Sequence, residues 1–274
     1  MNEFGEKRVF VVGGSAGIGL SAAKLFAARG ADVVVFARRP PLLEAAAARI
    51  ETSCANPRQR VAWRAVDVAR HDEAGAALRA AADEIGPPDV LVNCAGRAIP
   101  RRFEEIDFAQ FDQTIKTNLY GTWTAVAALL PALRERRGYV VNVSSMVGFM
   151  GIFGYTDYAA SKFGVIGFSE ALRAELKPDG VRVSVLCPPD TDTPGFHEEN
   201  KTKPPETVAI SAGAKTLSAD EVAHALIAGM ARERFLIIPG RDGRLVHLAK
   251  RLVPGVVDWV LDASVQKARR QQGR

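Results

Sequence analysis

Lys7-Arg8-Val9-Phe10-Val11-Val12-Gly13-Gly14-Ser15-Ala16-Gly17-Ile18-Gly19-Leu20 decides how this chain is read. The apolar run over residues 7–13 predicts a buried strand, and Leu20 to Arg29 reads as a helix. The glycines between them let a backbone come close to a ligand, and the helix N-terminus presents free N–H groups. A strand, a glycine turn and a helix in that order make a phosphate site. Glycines also make plain tight turns, so the rest of the chain has to support the reading.

The next apolar run, residues 32–37, predicts a second buried strand ending at Ala37-Arg38-Arg39. In a dinucleotide fold this tip faces the adenosine ribose. A carboxylate there would bind the 2′-hydroxyl of NAD, whereas arginines suit a 2′-phosphate. Arg38 and Arg39 therefore favour NADPH over NADH. The competing reading is a pair of surface arginines before Pro40-Pro41.

Further along, apolar strands alternate with amphipathic helices. Residues 42–52 read as a helix, 60–66 as a strand ending at Asp67-Val68, and 71–85 as a helix closed by Gly86-Pro87-Pro88. Residues 89–93 make a strand followed by Cys94-Ala95-Gly96. Phe108 to Arg136 is a long helical stretch that Pro131 should bend or break. Asn118 inside it is an unfavourable helix residue, which suggests a particular task or simple exposure. A strand at 138–143 ends in Ser144-Ser145. A helix at 157–177, a strand at 181–187, a helix from Ser218 to about Arg232 and a short strand at 235–238 follow. The polar, proline-bearing segment 188–205 has the length of a lid or binding element.

This alternation predicts an α/β, Rossmann-type, doubly wound fold. Its mostly parallel sheet has about seven strands with helices on both faces. No repeat or second-domain boundary is visible. Residues 1–240 read as one nucleotide-binding domain and 241–274 as a C-terminal amphipathic helical extension.

The 274 residues carry a net charge of +5, with 24% charged and 47% hydrophobic residues, ordinary for a globular protein. The arginines are dispersed without an aromatic-rich binding motif, which argues against nucleic acid as a partner. Cys54, Cys94 and Cys187 lack metal-ligand spacing, and no metal site is expected. They read as free thiols in a reducing compartment. With no signal peptide before the first strand and no long uncharged apolar run, the expectation is a cytoplasmic protein.

Tyr158 and Lys162 stand one helical turn apart in Tyr158-Ala159-Ala160-Ser161-Lys162. A nearby ammonium favours a phenolate, so the pair is a plausible acid–base device with a lowered tyrosine pKa. Alone it is equally a boundary tyrosine beside a solvated lysine.

Taken together, these residues resemble the classical short-chain dehydrogenase/reductase family over nearly the whole chain to about residue 240. Gly13, Gly17, Ile18 and Gly19 match its glycine motif, and Asp67 its adenine-contacting acid. Asn93-Cys94-Ala95-Gly96 matches its Asn-Asn-Ala-Gly element. Asn118, Ser145, Tyr158 and Lys162 fall where its catalytic four are expected. The resemblance implies NADP(H) contacts from Gly13, Ser15, Ala16, Gly17, Ile18, Gly19, Arg38, Arg39, Asp67, Val68, Asn93, Ala95, Gly96, Tyr158, Lys162, Pro188, Thr191 and Thr193. It implies that Tyr158 donates a proton to a carbonyl oxygen held also by Ser145. Lys162 would tune the tyrosine and hold the nicotinamide ribose, and Asn118 would hold a water leading to solvent. Two departures stand out: Val12 replaces a threonine before the first glycine, and Cys94 replaces the second asparagine.

A narrower resemblance, to the 3-ketodihydrosphingosine reductases, lies in Pro188-Pro189-Asp190-Thr191-Asp192-Thr193-Pro194-Gly195-Phe196 and in Glu198 to Pro204. It implies NADPH-dependent reduction of 3-oxosphinganine, or of another long-chain keto or hydroxy lipid. Asp190 or Asp192 could then meet the substrate ammonium; loop solubility or a helix cap explains them equally. Family resemblance also implies a homodimer or homotetramer. The apolar and basic series over 244–270 suits a membrane surface, a partner subunit or a cover over the substrate channel.

Overall fold

The computed structural model describes residues 4–272, so Met1–Glu3 at the head of the N-terminal reading and Gly273–Arg274 at the end of the extension lie outside the described residues. Its strands are β1 (Arg8–Val12), β2 (Asp32–Ala37), β3 (Val61–Ala65), β4 (Val90–Asn93), β5 (Tyr139–Val143), β6 (Arg182–Leu186), β7 (Thr191–Asp192), β8 (Leu217–Ser218) and β9 (Leu236–Ile237). The helices are α1 (Gly17–Ala27), α2 (Pro40–Glu51), α3 (His71–Ile85), α4 (Phe108–Ile115), α5 (Gly121–Glu135), α6 (Thr156–Leu176), α7 (Pro194–Asn200), α8 (Pro205–Ser211), α9 (Ala219–Ala231), α10 (Arg241–Leu252) and α11 (Pro254–Gln272).

A seven-stranded sheet runs in the order β3-β2-β1-β4-β5-β6-β9. Every neighbouring pair is parallel. The period of two along each strand sends alternate side chains to opposite faces. Val9, Val11, Val33 and Val35 pack with Phe26, Leu43 and Leu226 on one side. Phe10, Val12, Val34 and Phe36 pack with Leu78, Leu129 and Leu176 on the other. Both faces are dry, which is why these strands read as continuous apolar runs. Each such Phe or Leu stabilises the fold by roughly 1.5–3 kcal/mol relative to exposure.

Strand order reverses between β1 and β4, and ligands of open parallel sheets sit beyond the strand ends at that point. The glycine turn after β1 and the Asn93–Gly96 segment after β4 meet there. Cys94 N donates to Val12 O at 2.7 Å, tying the two together.

Three expectations change. Pro131 does not end its helix: α5 runs through it because Pro131 lies on the exposed face, where water can satisfy the freed carbonyl. The irregularity falls earlier, as a π-helical turn over Lys116–Tyr120 that contains Asn118. The segment 188–205 is not one loop. It holds β7, α7 and the start of α8, with β7 paired to β8 in a small parallel sheet.

The extension is α10 and α11, split at Pro254-Gly255. Helix α11 packs on α8, where Arg269 reaches the buried Glu206 at 3.4 Å and Arg102 reaches it at 2.8 Å. Among the described residues no helix is long and apolar enough to cross a membrane.

Candidate active site

Two glycines carry the turn after β1. Gly13 has φ +84°, and a Cβ there would lie 2.4 Å from Ala95 N. A Cβ on Gly19 would lie 2.2 Å from Gly13 O. Any side chain would therefore push the turn off β4 or off α1. Beyond Val12, the turn is tied to β2 through its backbone: Gly13 N donates to Phe36 O at 2.7 Å. Helix α1 begins after Ala16 with no side-chain cap, so its first N–H groups remain available to an anion.

The other cofactor candidates line the same edge. Arg38 and Arg39 are exposed at the end of β2, and among the described residues neither forms an ion pair. Asp67 follows β3 and accepts from Ala69 N at 3.1 Å, with Val68 buried beside it. Asn93 is buried and donates to Asn142 at 2.9 Å, while its Oδ1 has no partner among the described residues. Thr193 caps α7 by accepting from Phe196 N at 3.1 Å. Its Cγ2 lies 3.0 Å from where a Cβ on Gly17 would stand, so the lid segment closes over the glycine turn. Thr191 donates to Pro189 O at 2.8 Å, which fixes the chain just after Pro188. A bare glycine cradle, an uncapped helix start and two uncommitted guanidinium groups fit a phosphorylated dinucleotide.

The acid–base group gathers at the middle of this edge. Helix α6 is anchored at its start by the fully buried Asp157, which accepts from Thr114 at 2.8 Å and Gln110 at 3.2 Å. This holds α6 against α4 and sets the height of Tyr158 and Lys162. The Lys162 ammonium is buried, donates to Val143 O at 2.8 Å, and lies 5.6 Å from the Tyr158 ring centre. Ser145, which follows β5, lies close enough to the Tyr158 phenol to pull its pKa down. The Asn118 amide accepts from Arg97 N at 2.8 Å and donates to Arg97 O and Ser161 Oγ at 3.0 and 2.9 Å. The π turn is what brings that amide to the loop after Gly96. Its bonds make Asn118 a clamp on that loop.

Electrostatics correct one expectation. The Tyr158 phenol is held above, not below, its ordinary pKa. Burial contributes most, the Glu199 carboxylate adds to it, and Ser145 opposes it. Burial instead lowers Lys162 to about 8. The phenol therefore stays protonated, and the lysine holds its proton loosely. Cys94, which replaces the family asparagine, is pushed up to about 11 by burial and is an inert thiol.

The aspartates of the lid separate. Asp192 is exposed and pairs with His197 at 2.7 Å. Asp190 is half-buried, 3.9 Å from Lys203, and acts electrostatically on Tyr158. Glu199 was not singled out from the sequence. It hydrogen-bonds to the Tyr155 hydroxyl, and Tyr155 packs on Tyr158 with ring centres 5.6 Å apart. Glu199 sits in a short helix without periodicity, so only the fold of the lid could reveal it.

The profile of the short chain dehydrogenase family matches residues 7–204. The zebrafish (Danio rerio) 3-dehydrosphinganine reductase is 38% identical over 240 residues, 87% of this chain and 72% of that protein. The bovine (Bos taurus) 3-ketodihydrosphingosine reductase shows the same figures. An Arabidopsis thaliana 3-dehydrosphinganine reductase is 37% identical over 89% of this chain and 72% of its own length. Among solved structures, a short-chain dehydrogenase from Sphingobium yanoikuyae in complex with NADPH superposes with a TM-score of 0.77. It is 27% identical and covers 93% of this chain and 95% of its own. Levodione reductase gives a TM-score of 0.80 at 25% identity, over 88% of this chain and 99% of its own. The matched profile, the parallel sheet and the assembled Asn118, Ser145, Tyr158 and Lys162 agree: this chain belongs to the short-chain dehydrogenase family.

Proposed function

We propose that this protein is an NADPH-dependent ketone reductase that converts 3-oxosphinganine to sphinganine in sphingolipid synthesis. The observation that carries the reading is the 38% identity over 87% of the chain to reductases of that ketone. The site chemistry supports it. Bound NADPH would supply the hydride to the carbonyl carbon, leaving NADP+. Gly13 to Gly19 would hold the pyrophosphate, Arg38 and Arg39 the 2′-phosphate, and Thr191 and Thr193 would close over them. Ser145 orients the carbonyl oxygen, and Tyr158 gives its proton there as negative charge develops. An alkoxide is a far stronger base than a phenolate, so a raised phenol pKa still leaves the transfer downhill. Lys162 returns a proton to the phenolate, and Asn118 holds the loop at Gly96 that the lysine packs against.

The test is purified protein with NADPH and 3-oxosphinganine, following NADPH oxidation and the mass of the product. Oxidation with a 3-oxoacyl thioester but not with 3-oxosphinganine would favour the second reading, another long-chain keto lipid. The 36% identity over 188 residues to the Chlamydia trachomatis 3-oxoacyl-[acyl-carrier-protein] reductase makes that comparison specific.

Partners follow from two exposed apolar surfaces. Phe108, Phe111, Tyr120 and Trp123 project from α4, the π turn and α5, a surface that supports a homodimer or homotetramer. Leu245, Leu248, Leu252, Val256, Trp259 and Val260 are exposed on α10 and α11, beside Lys250 and Arg251. Helix α11 covers the lid helix α8 with one side and offers this apolar side to a lipid surface. The protein on this reading is cytoplasmic and peripheral to the membrane that holds its substrate.

A further inference from the structure

We infer that Glu199 is the residue that recognises the substrate's 2-ammonium group, with Asp190 contributing the balancing charge. The inference rests on the proposed reduction of a 2-amino-3-ketone and assigns a specificity residue within that site.

The argument is one of charge and position. Glu199, Asp190 and Lys203 form a cluster in the lid: Lys203 Nζ lies 3.4 Å from Glu199 and 3.9 Å from Asp190. The lysine side chain is 4% exposed and its ammonium lies over the Phe196 ring at 4.3 Å, so it is held in place. Among the described residues two carboxylates face this one ammonium, an excess of one negative charge that the burial of Glu199 disfavours. Tyr155 hydrogen-bonds to Glu199, and the Tyr155 ring packs on Tyr158. Asp192 pairs with His197 at 2.7 Å and not with Lys203.

A half-buried uncompensated carboxylate is costly unless a cation joins it. It stands within electrostatic reach of the phenol that would protonate the ketone oxygen. In a 2-amino-3-ketone the ammonium is on the carbon next to the carbonyl. The proposal turns that ammonium toward Glu199, whose carboxylate is held by Tyr155 beside Tyr158. A ketone without the amine leaves that charge unmatched. The cluster then selects for amino ketones against other long-chain ketones, by the penalty on the wrong ligand as much as by attraction to the right one.

The experiment compares kcat/KM for 3-oxosphinganine with that for its 2-deamino analogue. Wild-type protein prefers the amino ketone. Glu199→Gln lowers that preference by about 10- to 100-fold, the scale of a hydrogen bond to a charged group. Glu199→Asp, which keeps the charge, recovers part of it. Equal losses on both ketones would reduce Glu199 to a clamp on Tyr155 and overturn the inference. If Glu199→Gln fails to retain NADPH binding, competitive inhibition of wild type decides. A long-chain amine should inhibit about 10-fold more tightly than the matching alcohol, and equal inhibition overturns the assignment. A wild-type protein that reduces the deaminated ketone and not the amino ketone sinks the substrate reading itself, a result distinct from an unchanged preference in the variant.

Discussion

The Lys162 ammonium stands 5.6 Å from the centre of the Tyr158 ring and points its hydrogen bond at the carbonyl of Val143. The two side chains share one face of α6, but the lysine is anchored to the end of β5. Sheet and helix together set their separation. A substitution that loosens either support changes the proton path.

Removing the phenolic hydroxyl while keeping the ring isolates the acid. Tyr158→Phe should lower kcat by at least about 10²-fold with NADPH affinity retained, the usual scale for a positioned general acid. Wild-type turnover in this variant would exclude Tyr158 as the donor.

The Lys162 pKa gives the pH dependence its sign. Burial lowers it to about 8, so the charged form dominates below that value and the neutral amine above it. Reduction needs the proton-bearing lysine to restore the phenol. Hence kcat/KM for the ketone should be level towards neutrality and fall as pH rises through about 8. Lys162→Arg, whose guanidinium stays charged and cannot pass its proton on, should lower turnover at every pH and show no descending limb near about 8. A limb that persists unchanged would assign it to another group.

Cofactor choice should follow the tip of β2. The double variant Arg38→Ala/Arg39→Ala loses the charge that faces a 2′-phosphate. Its KM for NADPH should rise about 10- to 100-fold, with little change for NADH. Steady-state kinetics with both nicotinamides checks this; a parallel loss for the two would place the arginines elsewhere.

Gly13→Ala tests the cradle. The new methyl would stand 2.4 Å from Ala95 N, at a φ of +84° that alanine rarely adopts. Stability should drop by about 1–3 kcal/mol or more, and NADPH binding should weaken with it. Urea melts and cofactor titration of the same preparation measure both. A neutral outcome would mean that β1 and β4 separate more easily than their backbone bonds indicate.

The C-terminal helices can be examined on liposomes. Full-length protein should float with vesicles containing anionic lipid and lose that binding as salt rises. A Trp259→Glu variant, which places charge on the exposed apolar side, should stay in the soluble fraction. Co-flotation of the variant would move the contact to another surface.

The linear order of residues was enough for the sheet, the glycine turn and the Tyr158–Lys162 pair. Each depends on local periodicity or on spacing within one element: β1, β2 and β4 are buried, largely apolar runs, and a helix turn carries 158 to 162. The helix start at Ser218 was legible for the same reason, and the structure closes it with a capping box to Glu221. Other features needed the folded chain because they arise between elements distant in sequence. Pro131 sits harmlessly on an exposed face, a placement that no helix propensity contains. The Tyr158 pKa moves up chiefly because folding buries the phenol, and Glu199, brought in by the lid, adds to the shift. Asp190 and Asp192 are near neighbours of the same type. Only packing turns one toward Lys203 and leaves the other with His197 at the surface. Local pattern dictates which segments become strands and helices, whereas desolvation and charge pairing depend on what surrounds a side chain in three dimensions.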